Sequence, residues 1–184
     1  MIFNTGTLSF NTTQVLAENV SNEDNILAAS GTTTFGTDDN GVLLVTDAGD
    51  NNLPKNSTVI GLEFYVTAFH SSLTAATDLH LFATIDAGTS YSTKAIVDTT
   101  TSSATYTVTE PQFIYGTTWG LDWSGFTDLN QLGVKLTTQA GLFDTNSIAY
   151  VSLIQAKIYY KMPVGKISLN SGKFNLSNGK IKLW

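Results

Sequence analysis

The stretch 148-IAYVSLIQAKIYYKM-162 carries the clearest structural signal in the chain. Its side chains alternate with the two-residue period of a β-strand. One face receives Ile148, Tyr150, Ser152, Ile154, Ala156, Ile158 and Tyr160, and the other receives Val151, Leu153, Gln155, Lys157, Tyr159 and Lys161. Both faces are apolar near Val151 and Leu153, and lysine appears only toward the end of the stretch. The pattern therefore predicts a long central strand that is covered on both sides.

Similar alternation recurs along the chain at the spacing of about 8 to 12 residues that is typical of sandwiches and barrels. Clusters of Gly, Asn, Asp and Ser separate these segments and predict turns. The further predicted strands are Gly41–Thr46, Thr58–Phe69, Leu79–Ile85, Thr93–Val97, Ala104–Val108 and Gly133–Thr137. One helical turn is predicted at 126–131, capped by Thr127 or Asp128. About eight antiparallel strands in ~150 residues predict an all-β, jelly-roll-like β-sandwich.

Three parts are predicted along the chain. Residues 1–30 alternate only weakly and are expected to form an N-terminal arm or edge strands, and residues 31–162 form the sandwich body. Residues 163–184 hold three seven-residue strand repeats, each opening with Gly-Lys and closing with Leu. Strands this short bury too little apolar surface to be stable alone. We therefore expect the repeats to dock on a partner, through Lys166, Ile167, Leu169, Lys173, Phe174, Leu176, Lys180, Ile181, Leu183 and Trp184.

Charge is divided sharply between the two ends of the chain. Residues 1–150 hold three lysines and all fifteen acidic residues, a net charge of −12, whereas residues 151–184 hold six lysines and no acid, a net charge of +6. An acidic body without any arginine argues against nucleic-acid binding. The basic tail could instead be attracted to the acidic body of a neighbouring copy. The alternative is that its lysines only keep exposed strands soluble.

Several other classes of protein are disfavoured by composition. No apolar stretch reaches the ~18 residues that a membrane helix needs, so no membrane partner is expected. The opening residues lack the basic start and apolar core of a signal peptide, so we expect assembly in a host cytoplasm. The absence of cysteine excludes disulfides and thiolate metal sites.

Few residues carry a signal for catalysis or for a cofactor. The only histidines, His70 and His80, lie in strand-like segments, and Ser and Asp neighbours are expected by chance in so Ser-rich a chain. Acidic turns at 38–40 and 47–52 contain oxygen ligands suited to calcium, but without EF-hand spacing they are better explained as hydrated turns. We predict no catalytic residue, no metal and no cofactor.

Aromatic residues offer the remaining candidate site. Trp119 and Trp123 lie near one predicted corner, together with Tyr91, Tyr106 and Tyr115 elsewhere on predicted loops and strands. Such rings can stack on sugars. Packing at the core and corners is the competing explanation for most of them. Trp119 and Trp123 are therefore named as candidate glycan-stacking residues.

Sequence motifs in residues ~30–162 resemble jelly-roll proteins of tailed-phage virions. The motifs are 35-FG-36, 53-LPKNSTVIGLEF-64, 115-YGTTWG-120, 128-DLNQLGVKL-136 and the segment from Ala149 to Tyr160. The chain departs from the family pattern at 150–152, where an acidic residue is usual, and at 55–56, where a pair of small residues is usual. The terminal repeats are similar to those that end many phage structural proteins. The resemblance implies a virion setting, trimers and no catalytic site.

From these observations we predict a non-enzymatic virion structural protein, a capsid-decoration or head-fibre component attached to other copies of itself and to other virion proteins. The alternative is a tail or baseplate protein with a carbohydrate-binding, host-adhesion module.

Overall fold

The protein is described by a computed structural model. It describes residues 2–17, 19–36, 41–49, 52–71, 77–109, 118–140, 148–162, 175–177 and 180–182. The strands are β1 (Ile2–Asn4), β2 (Leu8–Ser9), β3 (Thr12–Ala17), β4 (Val20–Ser21), β5 (Thr33–Phe35), β6 (Val42–Thr46), β7 (Thr58–His70), β8 (Thr77–Thr84), β9 (Ala95–Asp98), β10 (Ala104–Thr109), β11 (Gly133–Ala140), β12 (Ala149–Lys161), β13 (Asn175–Ser177) and β14 (Lys180–Lys182). A short helix, α1 (Asn25–Ala28), and two 3-10 turns, Thr118–Gly120 and Leu129–Gln131, complete the described elements.

Twelve of these strands form two antiparallel sheets, which confirms the predicted all-β sandwich. The seven-stranded sheet has the order β10-β7-β12-β5-β4, with β1 and β2 also paired to β12. The five-stranded sheet has the order β3-β6-β11-β8-β9. The predicted helical turn is present as the second 3-10 turn, and the side chain of Asp128 caps it by accepting a hydrogen bond from the Asn130 amide.

The core lies between the inner faces of the two sheets. Alternate residues of each strand enter it, as the two-residue period requires. Fully buried side chains include Phe35, Leu43, Val45, Leu62, Phe64, Val66, Leu79, Leu81, Val134, Leu136, Ile154 and Ile158. The N-terminal thirty residues contribute β1 to β4 as edge strands of both sheets, and Phe10 from this region is buried against Phe64.

A β-bulge in β12 changes which residues face the core. Val151 lies opposite Ala68 and Leu153 lies opposite Thr67, so Ser152 is the extra residue. Val151 on one side of the bulge and Ile154 on the other are therefore both fully buried. The simple alternation predicted from the sequence placed these two residues on opposite faces and is wrong for that reason. The apolar character of both faces near residue 151 reflects this switch.

The C-terminal repeats contribute a hairpin. β13 and β14 pair antiparallel, with Leu176 opposite Ile181 and Ser177 opposite Lys180. Within the part of the chain that the structure describes, these two strands form a sheet of their own and pair with no strand of the sandwich. No helix in the described ranges is long and apolar enough to cross a membrane.

Candidate functional site

Four side chains form a cluster on the outer face of the seven-stranded sheet, where β7 and β12 lie side by side. Glu63 and Tyr65 point outward from β7 because Leu62, Phe64 and Val66 point into the core. Lys157 lies directly opposite Glu63, and Tyr159 follows two residues later on the same face of β12. All four side chains are half-buried. We call Glu63, Tyr65, Lys157 and Tyr159 the tyrosine cluster.

The tyrosine cluster is held together by hydrogen bonds to a single carboxylate oxygen. The hydroxyls of Tyr65 and Tyr159 both donate to Glu63 Oε2, at 2.7 Å and 2.8 Å. Lys157 Nζ donates to the Tyr65 hydroxyl at 2.9 Å and lies 5.2 Å from the centre of the Tyr65 ring. Hydrogen bonds that involve a charged partner are shorter and stronger than neutral ones. The two rings are thus held by one carboxylate, and Lys157 is joined to it through the Tyr65 hydroxyl.

Two groups of the tyrosine cluster, Tyr159 and Lys157, have pKa values raised above their ordinary values. Burial, the hydrogen bond to Glu63 and the charge of Glu63 together raise the pKa of Tyr159. The hydrogen bond to Tyr65 raises the pKa of Lys157, with smaller contributions from the charges of Tyr159 and Glu63. Tyr159 therefore stays a hydroxyl donor and Lys157 stays an ammonium, which has three N–H donors.

A second aromatic pair extends the same face toward the other end of the sheet. The rings of Phe69 and Tyr150, which lie opposite each other on β7 and β12, stack at 4.8 Å with 17° between their planes. Phe69 is four residues beyond Tyr65, or about 13 Å at ~3.3 Å per residue. Thr67 lies between them, within 2.8 Å of the Thr105 hydroxyl on β10. The outer face thus carries aromatic rings at both ends and polar side chains between them.

Both tryptophans named from the sequence are core residues, which corrects their assignment as glycan-stacking rings. Trp119 is 1% exposed, its ring meets Phe64 edge-on at 5.2 Å, and its Nε1 donates to the Leu62 carbonyl at 3.1 Å. Trp123 is 4% exposed and meets Phe126 edge-on at 5.0 Å. Neither ring presents an open face to a sugar. The competing explanation, packing at a corner of the sandwich, is the one that the structure supports.

The histidines are buried in different places. His70 Nδ1 lies 2.9 Å from the Thr99 hydroxyl, and His80 lies on β8 opposite Ile96 of β9. In the described ranges no group of three or more His, Asp or Glu side chains is placed to hold a metal ion. Asp47 accepts a hydrogen bond from the Gly49 amide within its own turn. Residues 38–40, 50 and 51 of the acidic turns lie outside the described residues.

The other predicted site residues are divided between described and undescribed parts of the chain. Among the surface aromatics, the ring centre of Tyr91 lies 4.0 Å from Lys135 Nζ, and the Tyr106 hydroxyl accepts a hydrogen bond from the Thr100 amide. Tyr115 lies outside the described residues. Of the docking residues, Leu176, Lys180 and Ile181 belong to the β13–β14 hairpin. The remaining docking residues, Lys166, Ile167, Leu169, Lys173, Phe174, Leu183 and Trp184, lie outside the described residues.

Sequence reasoning did not identify the tyrosine cluster, although one signal for it was present. Glu63 is the only acidic residue well inside a strongly apolar predicted strand. A charge in such a strand marks the outward face, so Tyr65 was bound to share that face. The partners Lys157 and Tyr159 are about 95 residues away in sequence, and only the pairing of β7 with β12 brings them together.

No family model matches the chain, and no curated protein matches it. The chain is similar to several solved structures of low sequence identity. TmCBM61, solved with β-1,4-galactotriose, is 9% identical with a TM-score of 0.39, over 80% of this chain and 89% of that one. A family 29 carbohydrate-binding module mutant, solved with mannohexaose, is 5% identical with a TM-score of 0.45, over 85% of this chain and 92% of that one.

A third similar structure comes from an endo-1,4-β-D-xylanase. It is the CBM22-1 and GH10 portion of xylanase 10B from Clostridium thermocellum, solved with xylohexaose. The identity is 9% and the TM-score 0.35, over 89% of this chain and 28% of that one. With TM-scores below 0.5, these similarities carry no argument about what this chain binds. They also lend no support to a phage virion, so the virion assignment stays a prediction.

Proposed function

We propose that the protein is a non-catalytic glycan-binding module that binds its ligand on the outer face of the seven-stranded sheet. The tyrosine cluster is the observation that carries this proposal. Sugars present apolar C–H faces to aromatic rings and hydroxyls to charged and amide side chains. The cluster offers both, since two rings are hydrogen-bonded to a carboxylate and one of them also to an ammonium.

The charges of this face favour a neutral glycan. Glu63 and Lys157 lie directly opposite each other, so the cluster itself has no net charge. Neighbouring side chains of this face include Thr67, Phe69, Tyr150 and Gln155, and the Gln155 amide donates to the Ser9 hydroxyl at 3.3 Å. The acidic body repels polyanions at long range. A neutral oligosaccharide therefore suits the face better than a sulfated or uronic-acid polymer.

A glycan array followed by calorimetry tests this proposal. The wild-type protein should bind one or more neutral glycans, and Tyr65→Ala together with Tyr159→Ala should weaken that binding about tenfold or more, because stacking is worth roughly 0.5–1.5 kcal/mol per ring. Tyr91→Ala is the matched control, because Tyr91 is a half-buried ring in the β8–β9 connection that packs on Lys135 of the other sheet. Absence of any glycan binding, or equal losses in both variants, would refute the proposal.

A second role, in assembly, is supported by a separate observation. The β13–β14 hairpin pairs with no described strand of the sandwich, and it belongs to a basic segment attached to an acidic body. We propose that the terminal repeats attach the protein to other copies, forming trimers, and to other proteins. The virion of a tailed phage, with attachment to the head or in a head fibre, is the setting that the sequence resemblance implies.

A truncated chain tests the assembly role. The protein ending at Met162 retains the whole sandwich, so its β-sheet circular dichroism should be unchanged while its oligomers dissociate. Unchanged oligomers would refute the role, as would NMR contacts between the repeats and the sandwich of the same, monomeric chain.

A further inference from the structure

Between the described residues, the two sheets leave a groove at one side of the sandwich. Within the described residues, β9 pairs only with β8 and β10 pairs only with β7, so each is the edge strand of its sheet. A groove of about 480 Å³ lies between them, lined by residues 93–98, residues 106–108 and Trp119. Edge strands present unpaired N–H and C=O groups that can pair with an added strand.

The groove is partly apolar at the surface. Ile96 of β9 is 51% exposed, although it is a large aliphatic residue in the middle of a strand. Val97 and Val108 line the same groove from the two edge strands. An exposed β-branched residue beside unpaired backbone is suited to an extended segment that alternates apolar and polar residues, because such a segment adds backbone hydrogen bonds and fills apolar pockets together.

Negative charge is concentrated at this edge. Asp78 of β8 lies directly opposite Asp98 of β9, and like charges in that position repel. Burial and the charge of Asp98 raise the pKa of Asp78, while His80 and Lys94 act in the opposite direction. Lys94 is the one cation among the described residues that line the groove. A strand that brought further lysines to this edge would relieve the repulsion.

The C-terminal repeats have the chemistry that this edge requires. They alternate apolar residues with polar ones, and they carry Lys166, Lys173, Lys180 and Lys182 with no acid. We propose that the repeats of one copy bind the β9–β10 groove of a second copy as an added strand, with Lys180 and Lys182 close to Asp98 and Asp78. This proposal rests on the assembly role proposed above and names the surface that receives the repeats.

A second copy is the favoured occupant because, in the described parts of one chain, the repeats do not pair with β9. Twelve residues separate Met162 from β13, which at ~3.3–3.6 Å per residue can span about 40 Å. That reach is ample, yet β14 pairs with β13, and β9 pairs only with β8, in the described parts of the chain. Binding of a tail by a neighbour's groove is a head-to-tail contact, which closes into a ring when the rotation permits. A ring of three copies would be the predicted trimer.

Sedimentation of the full-length protein tests the groove through a charge reversal. Asp98→Lys should weaken self-association about tenfold, because attraction to the tail lysines becomes repulsion. Asp122→Lys is the matched control, since this exposed residue outside the groove undergoes the same change of charge and should alter association less than about threefold. Adding Lys180→Asp alone to the Asp98→Lys chain, which leaves Lys182 to face Asp78, should restore part of the association. Ile96→Ser should weaken it without any change of charge.

The outcomes distinguish failure of the groove as the receiving surface from failure of the assembly role of the tail. Wild-type association in both Asp98→Lys and Ile96→Ser would overturn the groove as the receiving surface. If truncation at Met162 still abolished association in that case, the assembly role would stand with another surface. If truncation left association intact, or if the full-length protein stayed monomeric with its repeats on its own groove, the proposal and the assembly role would both fall.

Discussion

Removing the carboxylate of Glu63 should release both tyrosines of the cluster at once. Glu63 Oε2 accepts hydrogen bonds from Tyr65 and Tyr159 at 2.7 Å and 2.8 Å. A buried hydrogen bond to a charged group contributes roughly 1.5–3 kcal/mol. The groups here are half-buried, and solvent screening reduces the contribution of each bond to about 1 kcal/mol. Glu63→Ala should therefore lower the free energy of unfolding by about 2 kcal/mol, and Tyr159→Phe should lower it by about 1 kcal/mol.

A double-mutant cycle measured by urea denaturation checks this reasoning. Because the Tyr159 hydroxyl loses its acceptor in Glu63→Ala, the double variant should be less destabilised than the sum of the two single variants by about 1 kcal/mol. Glu63→Gln should lower the pKa of Tyr159 relative to wild type, since the negative charge is lost while burial remains. Strictly additive energies, with an unchanged tyrosine titration, would show that the shared carboxylate does not organise the cluster.

Three further predictions concern stability. Asp78→Asn should stabilise the fold by about 0.5 kcal/mol near pH 7, because charged Asp78 lies opposite Asp98. The raised pKa of Asp78 means that this gain should disappear as pH falls to the usual aspartate value, so an equal difference in thermal midpoint between variant and wild type at about pH 3 and about pH 7 would contradict the reasoning. Gly133→Ala should destabilise by about 1–3 kcal/mol, since an added Cβ would lie 2.6 Å from the Val45 carbonyl oxygen, and an unchanged denaturation midpoint would mean that the backbone yields freely. Burial acts to raise the pKa of Asp86, but hydrogen bonds from Ser90 and Thr84 lower it below its ordinary value. The stability that these bonds contribute is present above the usual aspartate pKa and is lost as pH falls through the folded value. Asp86→Ala should therefore cost about 1 kcal/mol at about pH 7 in chemical denaturation and almost nothing at about pH 2.

The strands could be predicted because their signal is local. Thr58–Phe69 and Gly133–Thr137 were recognised from alternation within a few residues, and they correspond to β7 and the first part of β11. The bulge at Ser152 could not be predicted, because it depends on how β12 meets β7 rather than on the composition of β12. The edge strands of the first thirty residues were indistinct because a short strand with one half-buried face has little alternation to show.

Sites were harder to predict than strands because they combine residues that are distant in sequence. The sequence places Trp119 and Trp123 near one predicted corner, but their burial against Phe64 and Phe126 depends on how the two sheets pack. The tyrosine cluster joins two strands that are about 95 residues apart, and the Asp78–Asp98 pair joins β8 to β9 across a connection of ten residues. Pairing between strands depends on the whole fold, so the local periodicity of one strand does not predict it.

By itself the sequence determined the class of fold, the separation of an acidic body from a basic tail and the repeated design of that tail, since each of these depends only on residue order and composition. Only the tertiary structure decided which aromatic rings are exposed, which carboxylates lie opposite each other and which strands are edge strands among the described ones. The physical reason is that a side chain's burial and partners are properties of the neighbouring strand, and the register between strands is set when the two sheets close over a common core.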